Sequence, residues 1–134
     1  MEMSELGLKA LMQTNASHGE WAGLHLLIDF WDADNTDSLE LCSAALRDAA
    51  EACGSTLLDL SIRKYGELGG VSGVGLLAES HISIHTWSEY RRASCDVYVC
   101  GQCDPYMCVP VLKKLFNADR MKLTEIKRML EFKA

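Results

Sequence analysis

Serines, histidines and a thiol lie close together in sequence between residues 70 and 100 of this chain. The segment Gly70–Glu89 contains Ser80, His81 and His85, and Cys100 follows shortly after it. A hydroxyl or thiol beside an imidazole is the arrangement used in nucleophilic catalysis, and histidine can carry a proton near neutral pH. This stretch therefore predicts a site of nucleophilic or acid–base chemistry.

The residue types alone leave three interpretations of this stretch open. A serine hydrolase would use Ser80 as nucleophile and His85 or His81 as base, but no G-x-S-x-G pattern surrounds Ser80. A thiol enzyme would pair Cys100 with His85. In the third interpretation, the histidines and serines only fill strand faces and have no chemical role.

The cysteines raise the possibility of metal or redox chemistry. Cys100-Gly-Gln-Cys103 is a C-x-x-C motif, and zinc would need a second pair of ligands at matching spacing. His81 and His85 do not supply that pair, because four residues of a strand span roughly 13 Å. A redox motif would lie at a helix start, whereas Pro105 places the next helix slightly later. We expect no metal, and we expect most of the six cysteines to be buried apolar residues.

Length and composition limit the class of protein. The chain has 134 residues, which suits one domain, and its net charge of −6 disfavours nucleic acid as a partner. No apolar run approaches the ~18 residues of a membrane span. The first residues lack the basic region of a signal peptide, so we expect a cytoplasmic protein with reduced thiols.

Hydrophobic periodicity predicts eight elements in the order β-α-β-β-β-β-α-β. Asp37 or Ser38 caps the first helix, and Pro105 opens the second. This order predicts an α+β fold, a two-layer α/β sandwich with a largely antiparallel sheet and helices on one face. Residues 1–22 form a lead-in with a short amphipathic helix, and residues 23–134 form the domain. The predicted elements are strands at 23–31, 57–65, 71–78, 82–87, 93–100 and 121–126, and helices at 39–53 and 105–116.

Alternation assigns side chains to sheet faces. His81, Ser83, His85 and Trp87 share one face of their strand, and Asp96, Tyr98 and Cys100 share one face of the next. The same rule puts Leu58, Leu60 and Ile62 together in the second strand. It puts Met121 and Leu123 together in the last strand, with Ile126 and Thr124 also assigned to its alternating apolar set.

Two longer motifs carry a resemblance to a known family. Leu77-Ala-Glu-Ser-His-Ile-Ser-Ile-His-Thr-Trp87 and Asp96-Val-Tyr-Val-Cys-Gly101 occur at the expected separation. From Gly23 onward, the chain resembles the short prokaryotic S-adenosylmethionine decarboxylase proenzyme, a pyruvoyl-dependent enzyme.

The resemblance implies that the chain makes its own cofactor. Ser80 would attack the carbonyl of Glu79, and cleavage would leave a β chain of residues 1–79 and an α chain of residues 80–134 that starts with a pyruvoyl group. His85 matches the processing proton carrier of the family, and Ser72 matches a second processing residue. The pyruvoyl ketone would form a Schiff base with the α-amine of S-adenosylmethionine and accept the electrons released with carbon dioxide. The product would be decarboxylated S-adenosylmethionine for spermidine synthesis.

The resemblance also assigns the residues that contact the substrate. Cys100 matches the proton donor, a role that suits a thiol because it is mostly protonated at neutral pH. Trp87 and Glu89 match the positions that stack on adenine and hold the ribose hydroxyls, and Tyr65 is a candidate for the opposite stacking face. The family further implies a homodimer, α2β2 after cleavage, with sites near the subunit boundary.

The match departs from the family after Trp87. The family continues with Pro-Glu and then Gly-Tyr-Ala-Ala, whereas this chain has Ser88-Glu89-Tyr90-Arg91-Arg92. We expect the missing proline to loosen this turn. Two alternatives therefore stay open, a decarboxylase of free arginine or ornithine with the same cofactor and a non-catalytic paralogue that binds an active partner.

Overall fold

A six-stranded sheet with two helices on one face forms the domain. The computed structural model describes residues 20–132, so the helix predicted near the amino terminus lies outside the described residues. The sheet order is β2-β3-β4-β5-β1-β6, and every neighbouring pair is antiparallel. The strands are β1 Trp21–Trp31, β2 Leu57–Lys64, β3 Val71–Leu77, β4 Ser80–Trp87, β5 Arg92–Cys100 and β6 Arg120–Leu130, and the helices are α1 Leu39–Ala52 and α2 Cys108–Phe116.

Both helices begin with the capping chemistry that their sequences predict. The Ser38 hydroxyl accepts a hydrogen bond of 3.1 Å from the backbone N–H of Leu41 at the start of α1. The second helical segment begins as a 3-10 helix, Pro105–Met107, in which Asp104 caps Tyr106, and becomes α-helical at Cys108. The predicted helix from Pro105 is therefore correct in place, but its first turn is tighter than an α-helical turn.

The core lies between the helices and one face of the sheet. Apolar side chains from alternate positions of the strands meet the inner faces of α1 and α2 there. The opposite face of the sheet has no helix on it among the described residues and carries the polar partners of the alternation. We call this second side the open face; it includes His25, His81, Ser83, His85, Asp96, Tyr98 and Cys100.

Predicted face assignments in two strands are wrong. A bulge between Leu57 and Asp59 turns Leu58 outward, so that it is 61% exposed and Leu57 packs against the core with Leu60 and Ile62. In β6, Thr124 is exposed and Ile126 is 41% exposed, because the core face carries Met121 and Leu123 and strict alternation puts residues 124 and 126 on the other side.

Candidate active site

Ser80 lies where β3 turns into β4. Leu77 and Ser80 are paired across the turn, which consists of Ala78 and Glu79. Glu79 has a φ of 65°, a left-handed conformation that costs a non-glycine residue roughly 1 kcal/mol or more. Backbone strain is therefore present at Glu79, the residue that precedes the Glu79–Ser80 bond.

The Ser80 hydroxyl is buried and held by the neighbouring strand. The side chain is 7% exposed, and its Oγ accepts a hydrogen bond of 3.3 Å from the backbone N–H of Cys100. Because β4 and β5 pair antiparallel, residues twenty positions apart in sequence meet at this end of the sheet. Ser80, the predicted source of the pyruvoyl group, and Cys100, the predicted proton donor, are therefore neighbours.

Ser72 and His85 form a second pair on the open face. They are directly opposite each other on β3 and β4, and Ser72 Oγ lies 3.2 Å from His85 Nδ1. His85 is exposed, so its ring can exchange a proton with a group that approaches this face. The two residues to which the resemblance assigns a processing role therefore lie within hydrogen-bond distance of each other.

The structure separates the neighbours Ser80 and Cys100 from the neighbours Ser72 and His85. Ser80 and His85 are five residues apart on the same extended strand, a separation of roughly 17 Å, and Trp87 lies roughly 23 Å from Ser80. These distances exceed the reach of a side-chain hydrogen bond by several-fold. Within one chain, Ser72 and His85 therefore do not contact the Glu79–Ser80 bond.

An aromatic cavity lies at the Trp87 end of the open face. Its volume is about 430 Å³, and Trp87, which is 46% exposed, forms one wall with Trp31 and Tyr90. Polar groups line the rest of the cavity: Asp29, Arg92 and Ser94, with the Ser94 hydroxyl donating to Asp29 at 3.0 Å. Aromatic walls with a few polar groups suit a heterocyclic, partly charged ligand.

The other predicted substrate residues lie near this cavity. Glu89 is in the 3-10 helix Ser88–Tyr90 that follows Trp87. Tyr65 lies just after β2, is 62% exposed and does not line the cavity. Its loop is closed by a hydrogen bond from the backbone N–H of Tyr65 to the carbonyl oxygen of Gly70. Gly70 packs so closely on Thr86 that a Cβ there would be 1.9 Å from the Thr86 carbonyl oxygen. The Tyr65 loop is therefore fixed beside the end of β4.

The turn after Trp87 is tightly held rather than loose. The Ser88 hydroxyl lies 3.0 Å from the carbonyl oxygen of Thr36 and 3.2 Å from that of Gly69, and it can donate to either. Arg91 forms an ion pair of 2.8 Å with Asp34. The expectation that this turn loosens without proline is wrong, because a hydroxyl and a guanidinium tie it to neighbouring loops.

A polar cluster that sequence analysis did not assign lies at the centre of the open face. Asp96 accepts hydrogen bonds from His25 Nε2 at 2.5 Å, from His81 Nε2 at 3.0 Å and from the Ser83 hydroxyl. Burial would raise the pKa of Asp96, but the three hydrogen bonds outweigh it and the pKa is lowered. The cluster is therefore a satisfied network around an ionised carboxylate.

This cluster also has three possible metal ligands close together. The ligand atoms of His25, His81 and Asp96 lie within 4.8 Å of one another. However, the Arg128 guanidinium lies 3.0 Å from His25 Nδ1, and since arginine only donates, Nδ1 accepts and Nε2 carries the proton. A protonated Nε2 beside a guanidinium is a poor ligand, so the arrangement favours hydrogen bonding. The signal for this cluster in the sequence is the set of polar residues that occupy alternate positions of otherwise buried strands.

The cysteines divide into two groups. All six are free thiols; Cys100 and Cys103 are half-buried, and the other four are buried as expected. A hydrogen bond with Cys108 lowers the pKa of Cys53 to about 7, although burial opposes this change. Burial raises the pKa of Cys42 to about 11. The buried thiols thus differ in how readily they ionise.

Comparison with known proteins gives one consistent family. The model of the S-adenosylmethionine decarboxylase family matches residues 24–129. The chain is 40% identical over 107 residues to the S-adenosylmethionine decarboxylase proenzyme of Thermomicrobium roseum, which covers 79% of this chain and 92% of that protein. It is 38% identical over 109 residues to the proenzyme of Methanococcus maripaludis strain C5, covering 79% and 88%.

A solved structure has the same fold. The crystal structure of the adenosylmethionine decarboxylase from Aquifex aeolicus superposes with a TM-score of 0.74 at 32% identity, covering 83% of this chain and 93% of that one. The described residues include no helix with the length and apolar character needed to cross a membrane.

Proposed function

This chain belongs to the S-adenosylmethionine decarboxylase family and is an enzyme of that family, and we propose that it decarboxylates S-adenosylmethionine with a pyruvoyl group made from its own Ser80. The observation that carries this proposal is the position of Ser80, a buried hydroxyl after a strained residue and against the backbone of Cys100.

The residues at this turn fit self-cleavage. Ser80 Oγ attacks the carbonyl carbon of Glu79, and loss of the C–N bond converts the amide into an ester. Elimination then releases Glu79 as a carboxylate and leaves dehydroalanine at residue 80, and hydrolysis of that group releases ammonia and leaves a pyruvoyl group. The left-handed Glu79 raises the energy of the uncleaved turn, so cleavage relieves strain.

The pyruvoyl group supplies an electron-accepting ketone to the substrate amine. The chain's own residues must then exclude water, orient the substrate and return a proton to its α-carbon. Cys100 adjoins residue 80 through the hydrogen bond between its N–H and Ser80 Oγ, which supports its role as the proton donor.

A complete site requires two copies of the chain. Residue 80 lies at the end of the sheet where Cys100 ends β5, whereas His85, Trp87 and Glu89 lie at or beyond the other end. We place the open faces of two copies against each other in opposite directions. Residue 80 of each copy then meets His85, Trp87 and Glu89 of the other copy. A two-fold axis creates two identical composite sites in this way.

The composition of the open face supports this pairing. Besides the polar cluster, it exposes apolar side chains in four of its strands, and pairing would remove them from water. We therefore expect a homodimer, α2β2 after cleavage. The apolar residues concerned are Leu27, Val74, Leu76, Trp87 and Ile126.

The two alternatives from the sequence are not favoured. The relatives bear the name of S-adenosylmethionine decarboxylase, and the aromatic walls of the cavity suit an adenine ring, which arginine and ornithine lack. Arg91 cannot reshape the cavity while it is paired with Asp34. A non-catalytic paralogue would not need Ser72, Ser80, His85 and Cys100 together.

The test is the intact mass of the purified protein combined with carbon dioxide release from labelled substrates. We expect wild-type protein to be found as chains 1–79 and 80–134, and Ser80→Ala to stay a single chain. The cleaved enzyme should release carbon dioxide faster from S-adenosylmethionine than from arginine or ornithine at equal concentration. Wild-type protein that stays uncleaved after long incubation at neutral pH would refute self-processing.

A further inference from the structure

A second thiol lies beside the proposed proton donor and has no part in the chemistry above. Cys100 ends β5, and Cys103 follows three residues later. We propose that Cys100 and Cys103 form a reversible disulfide by exchange with a small-molecule disulfide, and that this modification switches the enzyme off. The loss of activity rests on the proposed function of Cys100, whereas formation of the disulfide does not.

The backbone brings the two cysteines together. Gly101 and Gln102 form a turn of which Cys100 and Cys103 are the first and fourth residues, and Gly101 has a φ of 67°. The first and fourth Cα atoms of such a turn lie within about 7 Å. A disulfide requires a Cα separation of about 4.4–6.8 Å. The turn therefore supplies the required Cα approach, and closure of the disulfide requires the Cys103 side chain, which packs against the core, to rotate toward Cys100.

These two thiols are also more open to solvent than the rest. Cys100 and Cys103 are half-buried, whereas Cys42, Cys53, Cys95 and Cys108 are buried. The substrate must reach residue 80, and the backbone of Cys100 contacts that residue, so a small molecule can approach Cys100 by the same route. Cys100 is consequently the thiol that a small disulfide meets first.

The exchange balances in two steps. The Cys100 thiolate attacks one sulfur of the small disulfide, an S–S bond forms, and the other half leaves as a thiolate. The Cys103 thiolate then attacks the Cys100 sulfur, closes the internal S–S bond and expels the second half. The two cysteines lose two electrons and two protons, and the small disulfide is reduced to two thiols.

Electrostatics favours this order of events. Burial raises the pKa of Cys103, as do the neighbouring Cys53 and Glu79, so Cys103 is poorly suited to attack first.

The disulfide would remove the S–H of Cys100, which is the proton that the reaction needs. It would also fix the end of β5 whose N–H contacts residue 80. Cleavage of the chain precedes this modification and does not depend on it. The fully processed enzyme would thus lose turnover and regain it on reduction.

The experiment treats fully processed wild-type enzyme with excess glutathione disulfide, then measures intact mass, disulfide-linked peptides and carbon dioxide release. We expect the α chain to lose two hydrogen atoms, a Cys100–Cys103 link, activity that falls in proportion to the linked fraction, and full recovery with dithiothreitol. Cys103→Ser is the matched control: we expect unchanged basal activity, a glutathione adduct at Cys100 and no internal link.

Three results would overturn the proposal: no internal disulfide in the wild type, a link from Cys103 to Cys53 in place of Cys100, or unchanged activity when the Cys100–Cys103 link is complete. The peptide map does not depend on turnover. If the reduced enzyme fails to decarboxylate S-adenosylmethionine, the proposed function fails, while the map still decides whether the disulfide forms.

Discussion

Two inactive variants should restore each other's activity if the site is shared between two copies. Cys100→Ala removes the proton donor at one end of the open face, and Glu89→Ala removes the proposed ribose contact beyond the other end. Ser80 and Trp87 are separated by roughly 23 Å along β4, so one chain cannot unite these groups around one substrate. We expect each variant alone to cleave normally and to turn over little substrate.

The size of the recovery follows from symmetry. When the two variants are co-expressed in equal amounts, about half of the dimers are mixed, and one of the two sites in each mixed dimer carries neither substitution. Activity should therefore return to about one quarter of the wild-type value. The assay is carbon dioxide release from labelled S-adenosylmethionine by the unseparated mixture of dimers, and mixed dimers isolated through two different tags should reach about one half of the wild-type value.

A matched pair of variants separates shared sites from other effects. Cys100→Ala and Ser80→Ala both affect the same end of the open face, so a mixed dimer contains a defect in each site and should show no recovery. Mixed dimers of the Cys100→Ala and Glu89→Ala chains that stay as inactive as the two parents would refute the composite site. Wild-type protein that is fully active as a monomer would refute it equally.

Three further expectations follow from single residues. Glu89→Gln should raise KM for S-adenosylmethionine by about 10-fold or more, because a charge-assisted hydrogen bond contributes about 1.5–3 kcal/mol, and should leave chain cleavage normal by intact mass; an unchanged KM would exclude the ribose contact. Gly23→Ala should lower the free energy of unfolding in urea by about 1–3 kcal/mol, since its Cβ would be 2.7 Å from the Val99 carbonyl oxygen, and equal stability would contradict this. Hydrogen bonding keeps the pKa of Asp96 below its usual 3.8 despite burial, so its stabilisation is present above about pH 4 and lost as the pH falls through the folded value. The urea midpoints of wild type and Asp96→Asn should therefore differ near pH 6 and converge below pH 4, and a difference that does not depend on pH would count against this linkage.

The order and type of the elements could be predicted because the local signals agree. Ser38 caps α1 with its own hydroxyl, and alternation along β4 and β5 separates core residues from the open face. Leu58 could not be assigned correctly, because the bulge at this point depends on pairing with β3. The tight turn at Ser88 likewise depends on Thr36 and Gly69, which are distant in sequence.

The sequence by itself was enough to predict the chemistry of the site, because the two motifs carry the resemblance that assigns roles to the Glu79–Ser80 bond and to the thiol of Cys100. It also determined the faces of β4 and β5, since side-chain direction follows from residue parity in a strand without a bulge. Only the tertiary structure decided which of these residues are neighbours. Antiparallel pairing of β4 with β5 unites Ser80 with Cys100, while the extended length of β4 keeps His85 away from both. The spacing of residues along an extended strand is fixed and exceeds the reach of a side chain. One copy of the chain therefore presents two separate halves of the proposed site.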